Sequence, residues 1–434
     1  MLSRRQTLQA LGAAGLAGPL VSACGADDSG SGTSGSGASD LRLVKADVTR
    51  STGDPRAVAG VVDAIGAFAL DLWDTVGVTG ENLALSPYSI AVALAMTTNG
   101  AAGRTRPQML DVLHVDSLAT YNRGMAALTQ AVQALAGPVT LADGTDDAIA
   151  LAAANQLFGD QAVVWQQAFL TVLAKQYGAG MRAVDFRQDP EGARRLINGW
   201  TGTQTHGRIP QILPPGVVDD TTRLVLVNAL YFKAPWDVPF QKASTSKAPF
   251  RRPDGSSVEA EMMQSDPNGS AVYLRGAHHE AARLPYRGRT LAMTVVLPTD
   301  GREAEALAEV LGPGGLTRPG SPAVAVSMPR WTYRISTDLA KPLSGLGMTE
   351  AFGDGADFSR MTEEERLHVA FVLHQTFVAV DEDGTEAAAA TAVGMAESLV
   401  VQSHRLVLDR PFLYVIHDVA HGAPLFVGRV ADPS

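Results

Sequence analysis

Twelve residues near the C-terminus, Asp381-Glu382-Asp383-Gly384-Thr385-Glu386-Ala387-Ala388-Ala389-Ala390-Thr391-Ala392, constrain this chain more than any other stretch. From Gly384 on, every residue except Glu386 is small, and proline is absent between Glu382 and Arg410. Such a run can stand out as an exposed loop. It can also enter a sheet, because every residue keeps its backbone donor. By propensity alone it reads as a helix start, with Thr385 as cap and the alanines behind it. Strand side chains alternate between faces. If Thr385 points into the protein, so do Ala387, Ala389, Thr391, Val393 and Met395, all small or apolar. The other face takes Glu386, Ala388, Ala390, Ala392, Gly394 and Ala396, with a single charge. Gly384 is suited to act as a permissive pivot.

The 434 residues are enough for one large domain with a substantial core. A formal charge of −10 argues against a phosphate-backbone binder, so no nucleic-acid partner is expected. The one cysteine, Cys24, excludes an intramolecular disulfide, so packing must supply the stability. Arg4 and Arg5 precede a short apolar run, Ala10 to Val21, which ends in Val21-Ser22-Ala23-Cys24. A charged start, a short apolar core and small residues before a cut describe an export signal. Val-Ser-Ala-Cys resembles a bacterial lipobox, which implies cleavage before Cys24 and a lipid attached to it. Ser3-Arg4-Arg5-Gln6-Thr7-Leu8 also resembles a twin-arginine signal, with Thr7 where an aromatic is common, and this leaves the export route open between Sec and Tat. Gly25 to about residue 40 is Gly/Ser-rich, a composition that forms a tether and not a core. The expected organisation is a signal over 1–23, a tether over 24–56 and one domain over 57–434. The protein is expected to be exported, either anchored on the outer face of the membrane or secreted.

Helices come first in the body. Val61, Ile65, Phe68 and Leu72 recur at helical spacing, with Asp63, Asp71 and Asp74 elsewhere. Ser86 and Pro87 suit the cap and first turn of a second helix, Ile90 to Thr98. Met125–Ala136 and Gln166–Gln176 also read as helices. Strands follow. Leu224 to Phe232 is apolar throughout except Asn228, as in a strand buried on both faces. Leu291–Pro298, Ala323–Pro329, Val369–Val380, Arg405–Leu408 and Phe412–His417 read likewise. This order predicts an α+β fold with large, mainly antiparallel sheets.

Five segments, in order, resemble the serpin family. Asn82-Leu83-Ala84-Leu85-Ser86-Pro87-Tyr88-Ser89-Ile90 is similar to its second-helix motif, and Val227-Asn228-Ala229-Leu230-Tyr231-Phe232-Lys233-Ala234-Pro235-Trp236 to its central strand. Met348 to Phe352, with Ala356 to Ser359, is similar to a later helix and loop. Asp381 to Ala390 is similar to its mobile hinge. Asp409 to Ile416, with Pro424 to Val430, is similar to its C-terminal signature. The resemblance covers residues from about 57 to 434.

It implies helices packed on large sheets with an exposed reactive-centre loop, and a suicide inhibitor of serine or cysteine proteases, here expected to form a covalent complex with a serine protease. The loop is cut, then inserts as a strand and carries the protease with it. The hinge would be Glu382, Gly384, Thr385, Glu386, Ala387, Ala388, Ala389 and Ala390. Ser86, Ser89, Asn228 and His374 would form a hydrogen-bonded cluster, the shutter, beneath the central strands. The residues agree, since Asn228 and His374 sit in apolar runs where an unpaired polar group costs about 1–3 kcal/mol. Ser86 also reads as a plain helix cap. Trp236 would pack at the breach, where the loop enters, or would serve as an ordinary core aromatic.

Counting seventeen residues from Glu382, as the family does, puts the reactive bond at Ser398-Leu399. Counting back from Pro411 suggests Val400, so the range is Met395 to Val401. No Lys or Arg lies between Thr385 and His404, which disfavours a trypsin-like target, whose pocket is anionic. The small and apolar candidates fit an elastase-like or subtilisin-like protease, and Glu397 leaves a glutamate-specific one open.

No G-x-S-x-G or H-E-x-x-H motif occurs, and Cys24 is consumed by the signal, so the chain does not read as an enzyme. His278 and His279, if both on a strand, would face opposite ways and hold no metal. No cofactor is expected, and a monomer is. The rival reading is a non-inhibitory serpin-fold binding protein that proteases merely cut. Small hinge residues favour insertion over it.

Overall fold

The computed structural model describes residues 41–77, 80–141, 144–386 and 404–434. The expected signal with Cys24, the expected hinge alanines Ala387 to Ala390 and the expected reactive bond Ser398-Leu399 lie outside them.

Three sheets carry the described body. The largest has the order Arg42–Val44, Met181–Val184, Asp146–Asp160, Leu224–Pro235, Gly384–Thr385, Phe371–Val380 and Trp331–Asp338, with Gly137–Thr140 paired alongside Asp146–Asp160. Its centre is Leu224–Pro235, buried along its length except at Lys233. That follows from the continuous apolar run, since a strand covered on both faces has no side for polar residues. A seven-stranded sheet runs from Ser321–Pro322 through Leu291–Pro298 and Phe412–Asp418 to Leu83–Leu85. A four-stranded sheet pairs His404–Val407, Val324–Pro329, Ser257–Gln264 and Ser246–Arg251. Most ladders are antiparallel. The parallel pairs among the described strands are Asp146–Asp160 with Met181–Val184, Leu224–Pro235 with Phe371–Val380, and Val324–Pro329 with His404–Val407. The fold is α+β, as expected.

Helix Val58–Val76 buries Val61, Ile65, Phe68 and Leu72 and exposes Asp63, Asp71 and Asp74. Helix Pro87–Thr98 is buried on every side, because it lies beneath the large sheet and against the seven-stranded one. Ser86 caps it by accepting from the Ser89 amide. The helix expected at Met125–Ala136 starts earlier, at Leu118, where Ser117 caps it and Leu118 and Tyr121 extend the buried face. Gln167–Val172 passes into a π-helical turn, Leu173–Tyr177, that ends on left-handed Gly178.

Two sequence expectations change. The tether does not reach residue 56. Arg42–Val44 pairs antiparallel with Met181–Val184 as an edge strand, and Leu41 and Ala46 are buried, so the folded body includes them. The apolar Leu41, Leu43 and Val44 after the last Gly/Ser residues are the signal for this. The histidine pair also differs. His278 precedes the strand that His279 begins, so face alternation does not apply, and both rings reach Glu309, at 2.6 and 3.1 Å. Among the described residues, no group of three or more His, Cys, Asp or Glu side chains is arranged to hold a metal.

Candidate functional site: a polar cluster and a half-entered strand

The sequence-predicted cluster residues converge at mid-sheet, where the central strand and Phe371–Val380 run side by side, with Phe371 opposite Val225 and Thr376 opposite Leu230. His374 lies directly opposite Asn228. The Ser86 amide donates to His374 Nε2 at 3.0 Å, which makes that nitrogen an acceptor. The proton is therefore on Nδ1, which donates to Asn228 Oδ1 at 2.5 Å. Asn228 Nδ2 donates to Ser89 Oγ at 2.8 Å. Burial pushes the His374 pKa down to about 3, so the ring is neutral, as this pattern requires.

A fifth member, Asn155, was not singled out from the sequence. It lies opposite Asn228 on the next strand. Its Oδ1 accepts from Ser89 Oγ at 2.6 Å and from Asn228 Nδ2 at 2.6 Å. Its signal was the one that exposed Asn228: a buried amide inside a strand of mostly small and apolar residues. The cluster ties three adjacent strands to the helix below them. Each partner satisfies a group whose desolvation would otherwise be costly.

Above the cluster the two central strands part, and Gly384–Thr385 lies between them. Thr385 pairs with Val380 on one side and Ala234 on the other, both antiparallel. Thr385 is 1% exposed, and its hydroxyl shares a 2.7 Å hydrogen bond with Tyr286 Oη. Thr385 is therefore a strand residue, and the alanines that the helical reading places behind it lie outside the described residues. A Cβ at residue 384 would sit 2.2 Å from the Ala234 carbonyl oxygen. Gly384 therefore serves close approach, not a left-handed turn. The left-handed backbone falls instead on Glu386, with φ 51°, where the chain leaves the sheet. A non-glycine residue there costs about 1–3 kcal/mol.

Glu386 points away from Thr385 and forms an ion pair with Arg208. Burial raises its pKa, and Arg208 opposes that rise. Arg208 and Arg334 both lie over the Phe377 ring, each 5.6 Å from its centre. The turn that leads into Gly384 is held by its own side chains. Asp381 Oδ1 accepts from the Asp383 and Gly384 amides at 2.9 and 3.1 Å. Buried Glu382 accepts from Thr245 Oγ1 at 2.6 Å, and Asp383 pairs with Lys242 at 2.8 Å. Trp236 is buried and stacks on Tyr286 with ring centres 4.5 Å apart, and its Nε1 donates to the Asp381 carbonyl at 3.0 Å. The structure thus puts Trp236 against the hinge strand. Arg208 and Tyr286 gave no sequence signal, since each sits in an unremarkable local context. The described chain resumes at His404, whose ring stacks on Tyr273 at 4.1 Å.

A family model described as Serpin (serine protease inhibitor) matches residues 63–433. Leukocyte elastase inhibitor of Bos taurus is 35% identical over 378 residues, covering 84% of this chain and 97% of its own length. Serpin B6 of Macaca fascicularis is 36% identical over 383 residues, covering 86% and 99%. The native crystal structure of tengpin, a thermophilic serpin, aligns with a TM-score of 0.77 at 27% identity, over 90% of this chain and 97% of that one. Uncleaved ovalbumin aligns with a TM-score of 0.70 at 25% identity, over 86% and 100%. This chain belongs to the serpin family of serine protease inhibitors.

Proposed function

We propose that the protein is a covalent-trapping inhibitor of an elastase-like or subtilisin-like serine protease. The protease hydroxyl attacks the carbonyl carbon of Ser398, or of a neighbour between Met395 and Val401. The peptide C–N bond breaks, the Leu399 amine leaves, and an acyl ester joins the loop to the protease. Residues from Glu386 onward then continue the strand begun at Gly384–Thr385, and the ester travels with them.

The observation that carries this reading is the two-residue strand itself. Thr385 is already paired on both sides, while the two strands below it still pair with each other. Extending it exchanges one ladder for two. The five-residue polar cluster then acts as the shutter, because it spans the seam that must open. Trp236 and Tyr286 line the breach. A target that favours small or apolar residues fits the lack of Lys and Arg between Thr385 and His404, and relatives named leukocyte elastase inhibitor support it. We further read Cys24 as a lipid attachment site that holds the body outside the membrane. Incubation with pancreatic elastase and with subtilisin tests the central reading. A complex of the summed mass that survives boiling in detergent is expected, and clean cleavage without complex would favour the substrate-only alternative.

A further inference from the structure

Positions along the large sheet can be compared row by row, because its strands run in continuous register. Leu224, the first residue of the central strand, pairs with Gly159, Gly159 with Ala183, and Ala183 with Arg42. Arg42 therefore lies in the end row of the central strand. Thr385 pairs with Ala234, ten residues further along, which is about 33 Å at strand rise. The chain toward Cys24 leaves the body at Leu41, whose buried side chain and whose carbonyl, accepting from Arg182 at 3.3 Å, fix the exit point.

In the antiparallel register of Thr385 with Ala234, each further loop residue moves one row back along the central strand. Met395 would then face Leu224, in the row of Arg42, and Ser398 would lie three positions beyond the end of the sheet. Four strand spacings separate that position from Arg42, about 19 Å.

We propose that the anchor and the trapped protease share one pole of the molecule. This rests on the trapping and anchoring readings above. The loop is offered at the pole far from the membrane, and insertion delivers the captured protease to the pole where the tether attaches, between body and lipid. Tether length is then a working dimension of the inhibitor. Sixteen residues, and so seventeen residue-to-residue steps, separate Cys24 from Leu41, and they span at most about 60 Å. A protease of roughly 240 residues is about 45 Å across. The tether clears one protease with little to spare. Removing residues 29–38 leaves a reach of at most about 25 Å, too short to admit it.

The test uses the full lipidated chain and its 29–38 deletion, each on phosphatidylglycerol/phosphatidylethanolamine vesicles and in detergent micelles, challenged with subtilisin or elastase. Boiling-resistant complex and cleaved inhibitor are quantified. The full-length tether should trap equally in both settings. The deletion should trap normally in micelles but lose complex severalfold on vesicles, with cleaved chain rising in its place. Equal trapping by the deletion on vesicles and in micelles would overturn the proposal. No complex in any setting would overturn it through the trapping reading, and absence of lipid on Cys24 by mass spectrometry would overturn it through the anchoring reading.

Discussion

Asn155 and His374 are the residues whose chemistry is least replaceable by packing. Asn155 Oδ1 is a shared acceptor for Ser89 and Asn228. Asn155→Ala should leave both donors buried and cost about 1–3 kcal/mol in urea unfolding. His374 gives the pH dependence its sign. Its pKa is about 3 when folded, against an ordinary 6.5. The unfolded chain takes up a proton in that interval that the folded chain refuses. Its contribution is therefore complete above pH 6.5, falls as pH drops and is lost by about pH 3. At pH 5 the loss is about 2 kcal/mol. Buried His417, pushed down to about 4, acts in the same direction. Stability measured between pH 7 and 5 should decline, and less steeply in His374→Gln. A flat profile in the parent would show that His374 ionises freely.

In the proposed mechanism the short strand Gly384–Thr385 is the element that would decide between inhibitor and substrate. Thr385 occupies a buried slot against Tyr286, so Thr385→Arg would have to bury an unpaired charge there, which is prohibitive in a dry site. That variant should be cut at the parent rate yet yield little stable complex, read by gel densitometry. Retained trapping would mean that residue 385 does not enter the sheet. Elements of this kind differ in how far the sequence reveals them. The central strand was legible because Leu224 to Phe232 is too apolar to be exposed. The contact between Asn228 and His374 was legible because two polar groups in apolar runs need partners, and the same logic applied to Asn155 would have added it. Arg42–Val44 was hidden by its length: three residues carry no periodicity, and pairing with Met181–Val184 decides the matter. The hinge was ambiguous locally, since alanines favour helix. The neighbouring strands settle Thr385, and only a structure shows that the left-handed turn belongs to Glu386 and not to Gly384.

For the whole molecule, the proposed trapping mechanism requires a native state of higher free energy than the inserted one. Completing the insertion would form on the order of ten backbone hydrogen bonds at about 1 kcal/mol each. Burying Val393 and Met395 would add about 2 kcal/mol apiece. Return of Glu386 to extended backbone would relieve a further 1 kcal/mol or so. The polar cluster opposes this motion, because parting the Asn228 and His374 strands breaks the shared hydrogen bonds before the incoming strand replaces the ladder. It therefore acts as a barrier as well as a stabiliser. Asn228→Ala should shorten the lifetime of the native state on warming, visible as faster loss of trapping activity, even where the cleaved form is unaffected. The measurement that bears most directly on this is thermal unfolding before and after a single cut in the loop, with the scissile bond identified by mass spectrometry. A gain on the order of 10 kcal/mol should raise the Tm by about 10 °C or more for a body of this size, and an unchanged Tm would mean that the severed segment stays outside the sheet and that the native fold stores nothing.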